Sequence, residues 1–298
     1  MTTAETPRQI AWKRRRDGLA KTWREFAAQK AALVGLILLG ATVLVALLMP
    51  LISDDSGLNV TKATGAPLSP PNGEFWLGTD NYGRSVLLMT LWGSRVSLLV
   101  GFSAALLSVV IGTIIGIAAA HFGGWVSATL LRFTDFFLVL PSLILAIALS
   151  AVLPRGVGTI ILAIGLTAWP STARLVRAQT LTIESRPYIE RAHALGGGHL
   201  HIVGKHVLPG VMPLVLANTT LVVGNAVIAD ATLSFLGVGD SNSVTWGVIL
   251  EDALNNGAIS RGAWWNVLPP GIAIVLVVLM FTLVGRGLET VFNPRLKK

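Results

Sequence analysis

Residues 96–120 read VSLLVGFSAALLSVVIGTIIGIAAA, a run of 25 positions with no charged residue and no proline. Crossing about 30 Å of hydrocarbon takes about 20 mainly apolar residues in a helix, because backbone N–H and C=O groups must be satisfied inside the segment. Val96–Ala120 meets that requirement by itself, so the chain reads as a helical membrane protein. Five further segments qualify on either side of it: Ala31–Ile52, Phe136–Leu153, Thr159–Thr180, Val211–Leu236 and Val267–Val284. The expected fold is all-α, with six transmembrane helices. Ala31–Ile52 reads as a true span, since it is too long for a signal-peptide core and no Ala-x-Ala-type cleavage site follows it.

Composition agrees. The chain of 298 residues is 53% hydrophobic and 13% charged, with a mean hydropathy of +0.69, where a soluble domain carries about 25% charged residues. The net charge of +8 does not indicate nucleic acid, because the basic residues sort by side. With the N-terminus in the cytoplasm, 18 of the 23 Lys and Arg residues fall on the inside, and only Lys62, Arg84, Arg95, Arg155 and Arg261 fall outside. That positive-inside bias sets both termini in the cytoplasm, and the basic residues act as topology signals and lipid-headgroup contacts. Cysteine is absent, which removes a disulfide framework, a thiol nucleophile and cysteine metal ligands.

The organisation follows from these spans. Residues 1–30 form a basic, amphipathic cytoplasmic segment with Trp12, Leu19, Trp23 and Phe26 at helical spacing, expected to lie at the interface. The first span, 31–52, leads into an extracytoplasmic loop, 53–94, too rich in Pro and Gly to cross the bilayer. A five-helix core follows over 95–290, containing a cytoplasmic loop at 184–209, and a short tail, 291–298, closes the chain. The third and fourth spans, joined by the turn at 154–158, are expected to pack as a hairpin. In the last outer loop, Trp246, Trp264 and Trp265 suit an interfacial aromatic belt.

The cytoplasmic loop has more structure than a connector needs. Ser185-Arg186-Pro187 offers a capping hydroxyl and an early proline, Tyr188–Leu195 follows as a short helix, and Gly196-Gly197-Gly198 ends it. A second amphipathic stretch presents Leu200, Val203 and Val207 on one face and closes at Leu208-Pro209. The spacing Glu190-x-Ala192-x3-Gly196, then His206-x-Leu208-Pro209, resembles the "EAA" loop of permease subunits from binding-protein-dependent ATP-binding cassette importers of type I. Arg191 stands where alanine is typical, and His206 where an apolar residue is common. The resemblance implies that Glu190, Ala192, Gly196, Leu208 and Pro209 couple the spans to an ATPase. The short helix sits in a groove of that ATPase and converts nucleotide-driven closure into a tilt of the bundle. Taken singly, Glu190 also reads as a complement to a helix dipole and Gly196 as an ordinary cap.

Two further stretches narrow the family. Leu77-Gly78-Thr79-Asp80-Asn81-Tyr82-Gly83-Arg84-Ser85 resembles the Leu-Gly-Thr-Asp-x-x-Gly-Arg-Asp signature of dipeptide, oligopeptide and nickel permeases, carried here by Gly78, Thr79, Asp80, Gly83 and Arg84, with Ser85 in place of the last aspartate. Leu233–Gly239 and Trp246-Gly247 resemble the end of the fifth span and its following loop in that group, with Asp230 where glutamate is typical. One N-terminal span ahead of the signature loop is similar to the second, C-type, of that family's paired permeases.

Asn218, Asn225 and Asp230 are the candidates for a translocation path. Asn218, Asn225 and Val211 share one face at seven-residue spacing, a face that either lines a polar route or packs on a neighbouring helix. A charge at membrane depth is costly and marks a functional site by default; Asp230 reads either as a substrate contact or as an interhelical hydrogen-bond partner. Asp135 reads as a headgroup-level residue beside Arg132. Gly112-x3-Gly116 permits a close helix approach. Gly204-Lys205 fails as a phosphate loop because His199 and His206 occupy the positions of its first glycine and its Ser or Thr. His193, His199, His201 and His206 share one loop without a recognised metal spacing and read as solvated or ATPase-facing.

No catalytic residues, metal site or cofactor are expected in this chain; ATP and magnesium belong to partner subunits. The resemblance implies a peptide importer in a bacterial inner membrane, paired with a homologous B-type permease, driven by cytoplasmic ATPases and supplied by an extracytoplasmic peptide-binding protein. The same importer class carrying nickel, haem, glutathione or an opine is the alternative cargo reading. An ATP-independent transporter or channel would show inverted repeats, and none is evident. An intramembrane enzyme would need a paired acid and base at membrane depth, where the spans offer only isolated aspartates.

Overall fold

The computed structural model describes residues 7–240 and 242–292; most of the expected tail, 291–298, lies outside them. Helices α1 (Pro7–Ala27) and α2 (Lys30–Ile52) are followed by an irregular outer loop. Then come α3 (Val86–His121), α4 (Gly124–Val139), α5 (Ser142–Val152) and α6 (Val157–Glu184). After these come α7 (Pro187–Ala194), α8 (His199–Ile202), α9 (Leu208–Phe235), α10 (Trp246–Asn255) and α11 (Leu268–Phe292). Five helices among the described residues are long and apolar enough to cross a membrane: α2, α3, α6, α9 together with α8, and α11 together with the turn before it.

The third expected span is not one helix. Over Phe136–Leu153 the chain breaks between α4 and α5, which bend by 88°, and it counts as a sixth crossing only if the bent pair is taken together. Pro141 is the cause: its ring restricts the preceding residue to extended backbone, and Leu140 sits at φ −77, ψ 128. With 16 and 11 residues, the halves rise about 24 and 16 Å, each short of the hydrocarbon thickness. The expected hairpin survives in its second half, where α5 packs on α6.

The bundle centres on α3. Its 36 residues rise about 54 Å, so both ends project beyond the membrane core. It runs parallel to α6, with Leu107 against Gly165, Gly112 against Thr172 and Gly116 against Val176. A Cβ on Gly112 would meet the Trp169 carbonyl at 2.8 Å, and one on Gly116 the Ala173 carbonyl at 2.6 Å, so the small-residue pair is the α3–α6 seam. Helix α9 packs on α3 through Val227 at Gly101 and on α11 through Gly224 and Gly285. Helix α2 lies at the side of the bundle, touching α11 through small residues such as Ala32 and Gly35, with Leu36 and Leu39 packed inward and most of its other Leu, Ile and Val side chains facing outward.

Helix α1 holds the aromatic residues of the expected interfacial stripe in two settings. Phe26 is buried against Gly287, whereas Trp12 and Trp23 are exposed; the Leu19 side chain lies outside the described ones. Trp246 also departs from the expected belt. It is 1% exposed, its indole N–H donates to the Thr90 carbonyl at 2.8 Å, and its backbone N–H donates to Ser97 Oγ at 3.2 Å. Helix α10 is thereby pinned to the outer half of α3, and Trp264 is left exposed.

Candidate functional site

The loop between α6 and α9 is built from the end of α6. Ser185 does not cap the next helix as expected; its hydroxyl donates back to the Thr182 carbonyl at 3.1 Å. Arg186 is extended, and Pro187 starts α7 at its first position, where a missing N–H costs nothing. At the other end, the Gly197 N–H bonds the Ala192 carbonyl and the Gly196 N–H bonds the His193 carbonyl, both at 2.9 Å. This paired closure is a Schellman motif. Gly196 takes φ +83, and a Cβ there would meet nothing within 4 Å, so it is the backbone angle and not space that calls for glycine.

The widened turn Val203–Val207 joins α8 to α9, with the Leu208 N–H reaching the Val203 carbonyl. Proline in a helix clashes with the carbonyl four residues back, here Lys205, and the wider turn gives Pro209 its room. The same geometry changes which residues face inward. Leu200, expected on one face with Val203 and Val207, is 90% exposed, while Ile202 and Val207 are fully buried.

Ile189, Ile202 and Val207 form one cluster with Val109 and Ile117 of α3, Val176 and Ile183 of α6, and Val211 of α9. Burying such side chains contributes about 1.5–3 kcal/mol each, so the loop is bolted to three spans. Its outer side is open. Glu190 is exposed in the first turn of α7, and Leu195 and Leu200 project at 88% and 90% exposure. Ala192 and Gly196 line a surface groove with Tyr188, Arg191, His201 and His206. Leu208 packs on the buried cluster, and Pro209 is exposed at the start of α9.

A cavity of about 600 Å³ lies between α3, the α4–α5 break, α6 and α9. Asn218 and Asn225 both line it, and Asn218 Nδ2 donates to Thr172 Oγ1 at 3.1 Å. Ser108 and Ser171 add hydroxyls, and no ionisable side chain is in the lining. Asp230 is not part of it. It is 1% exposed, sits beside Ser97 and Ser234 where α9 meets α10, and one of its carboxylate oxygens has no hydrogen-bond partner. Asp135 pairs with Arg174 at 2.6 Å, not with Arg132.

The Gly78–Arg84 signature folds in on itself. Gly78 and Gly83 take φ +67 and +80, and a Cβ on Gly83 would strike the Gly65 carbonyl. Thr79 Oγ1 donates to the Ala66 carbonyl at 2.5 Å and accepts the Ser69 N–H at 2.8 Å. Asp80 accepts the backbone N–H groups of Tyr82 and Arg84 on one oxygen and Arg84 Nε on the other at 2.6 Å. Arg84 then reaches Asp252 of α10 at 3.2 Å. Burial raises the Asp252 carboxyl above its ordinary range, the Arg84 cation works against that rise, and Asp80 adds to it. Ser85 caps α3 by accepting the Leu88 N–H at 3.4 Å, a task that aspartate also performs.

Residues 112–298 match the family of binding-protein-dependent transport system inner membrane components. The chain belongs to this family. The permease also matches, over residues 19–71, the N-terminal transmembrane domain of oligopeptide transport permease C. A chain of Brucella suis biovar 1, provisionally named a peptide transport system permease protein, is 37% identical over 277 residues, covering 93% of the permease and 92% of the relative. A dipeptide transport system permease protein of Bacillus subtilis is 34% identical over 277 residues, 93% and 85% of the two chains. An oligopeptide transport system permease protein of the same organism is 34% identical over 276 residues, 92% and 88%. The permease is therefore a multi-pass membrane protein of a class that works with binding proteins and ATPase subunits.

One constellation escaped the sequence reading. His121 at the end of α3 lies between Glu184 at the end of α6 and His199 at the start of α8. The three are separated by more than 60 residues or by a helix end, and no local spacing signals them.

Proposed function

We propose that the permease carries dipeptides or oligopeptides inward from an extracytoplasmic peptide-binding protein, driven by separate cytoplasmic ATPase subunits that bind ATP and magnesium. In this reading it pairs with a homologous B-type permease in a bacterial inner membrane, contacts lipid but no nucleic acid, and keeps both termini in the cytoplasm. The ATPase docks on α7 and α8, with Glu190 and Gly196 holding the shape of that surface and Ala192, Leu208 and Pro209 transferring it to α9.

The observation that carries this reading is the two-sidedness of the loop. Ile189 and Ile202 are sunk among α3, α6 and α9, while Leu195 and Leu200 stand in solvent a few residues away. Apolar side chains held that far out by a rigid mount fit a partner's groove. The cavity lining supports a peptide over a metal ion: amide and hydroxyl groups suit peptide bonds, whereas a divalent cation would find neither carboxylate nor imidazole there.

The test is to purify the permease from cells with its neighbours and measure peptide uptake in reconstituted vesicles. An ATPase is expected to copurify, and changing Glu190 and Gly196 together is expected to abolish both copurification and uptake. Unchanged assembly and uptake in that double variant would end the coupling reading; uptake of nickel without competition by peptides would end the cargo reading.

A further inference from the structure

The apolar cluster under the coupling loop is non-directional, and such a contact resists separation more than sliding. A lever needs something that fixes register as well. His121 Nδ1 lies 2.5 Å from Glu184 Oε1, and His121 Nε2 lies 2.9 Å from His199 Nδ1. The His121 side chain is 2% exposed and that of Glu184 19%, so the bond between them is partly shielded from water, while His199 reaches it from the exposed side. The His199 ring also sits edge-on to His121 at 5.0 Å and tilted on Phe122 at 5.6 Å.

Imidazole is the side chain that can do this. It carries two polar atoms on opposite edges of a rigid ring, so one residue bonds partners on two different elements. With Glu184 ionised, His121 donates its Nδ1–H to the carboxylate, and its bare Nε2 accepts the Nδ1–H of His199. Every proton in the chain is placed. The first bond is charge-assisted, and such bonds are shorter and stronger than neutral ones.

We propose that Glu184, His121 and His199 form a hydrogen-bonded strut that passes movement of α8 to the cytoplasmic ends of α3 and α6. His199 follows directly on Gly198, at the hinge between α7 and α8. A partner pushing on Leu195 and Leu200 moves His199, which drags the two parallel spans whose seam runs along Gly112 and Gly116. The apolar cluster holds the loop against α3, α6 and α9 without fixing register, and the strut fixes the register of α8 against α3 and α6. These are positioning residues and touch no substrate. The proposal rests on the coupling reading given above.

The experiment uses the reconstituted complex and reads peptide transported per ATP hydrolysed. His121→Asn keeps the atom facing Glu184, and His121→Gln keeps the atom facing His199; neither spans both. Both are expected to retain bound ATPase and ATP hydrolysis; His121→Gln is expected to lose at least about tenfold in peptide per ATP, the factor that one hydrogen bond to a charged group is worth, and His121→Asn about fivefold, the factor for a neutral one. Glu184→Gln retains an acceptor oxygen and is expected to keep the ratio within about threefold, since it weakens one bond without removing it. The pair His121→Gln with His199→Ala is expected to be no worse than His121→Gln alone, because both cut one path. Normal peptide per ATP in both His121 variants, additive losses in the pair, or loss of assembly in every variant including Glu184→Gln would overturn the strut. Absence of ATPase from the unaltered complex would instead end the coupling reading itself.

Discussion

The signature loop around Gly78–Arg84 and the loop Glu190–Pro209 are both motif-bearing insertions between spans, yet they use their polar residues in opposite ways. In the first, Thr79, Asp80 and Arg84 are buried and bonded to neighbours within the chain. In the second, Glu190 and Arg191 are exposed, and apolar Leu195 and Leu200 stand beside them. A motif whose groups are satisfied internally is architecture. A motif that leaves its groups unsatisfied outward is an interface. Gly78–Arg84 therefore serves as a clasp that ties its loop to α10, and Glu190–Pro209 is the surface on which the proposed function seats a partner.

That contrast can be broken from either side. Arg84→Ala is expected to have the largest effect, because it leaves Asp80 and Asp252 facing each other without their cation. Losing one partner of a buried pair costs about 3–5 kcal/mol, to be seen as a lower thermal midpoint of the purified permease. A change below about 1 kcal/mol, the size of an exposed ion pair, would mean that the loop is no clasp. Gly196→Ala comes next. Left-handed backbone costs a side-chain-bearing residue about 1–2 kcal/mol, and α7 is expected to fray, with faster amide exchange at Gly196 and Gly197 and weaker ATPase retention.

Ser85→Ala is expected to cost about 1 kcal/mol through the lost cap of α3, with Ser85→Asp restoring it; loss of stability in both variants would show that the cap is not its role. Glu190→Ala should be the smallest in stability, within about 0.5 kcal/mol as for other exposed positions. It is nonetheless expected to weaken ATPase copurification. A large drop in thermal midpoint there would place Glu190 with the clasp residues and erase the distinction.

Much of this contrast was legible in the residues, for identifiable reasons. Long apolar runs are read from hydropathy alone because lipid imposes one requirement on every span. The glycine at 196 and the proline at 187 mark local conformation wherever they occur. Pro141 was equally visible, but the apolar residues on both sides of it disguised a sharp break as one span. Trp246 was read as a belt residue because its composition fits one; only the fold shows its N–H groups consumed by Ser97 and Thr90. Regular helical spacing groups Leu200 with Val203 and Val207, and the wide turn at Val203–Val207 breaks that spacing, so that Val207 is buried while Leu200 faces out. Asn218 and Asn225 both border the cavity, and Asn218 also bonds Thr172 on the neighbouring helix, so both readings their spacing left open have a counterpart, whereas Asp230, which drew attention as a buried charge, lies outside the cavity lining. The His121 strut joins groups from three separate segments, a kind of proximity that only tertiary packing creates.

The absence of cysteine allows the central claim to be tested at single positions. Leu200→Cys and Trp76→Cys are each placed in the otherwise unaltered permease, both at exposed sites, and intact cells and inverted vesicles are treated with a membrane-impermeant thiol reagent and a short crosslinker. The account predicts that Leu200→Cys reacts only in inverted vesicles and crosslinks to an ATPase subunit, while Trp76→Cys reacts only in intact cells with the outer barrier opened and crosslinks to none. Labelling of Leu200→Cys from outside, or its failure to crosslink to any ATPase in active membranes, would contradict it.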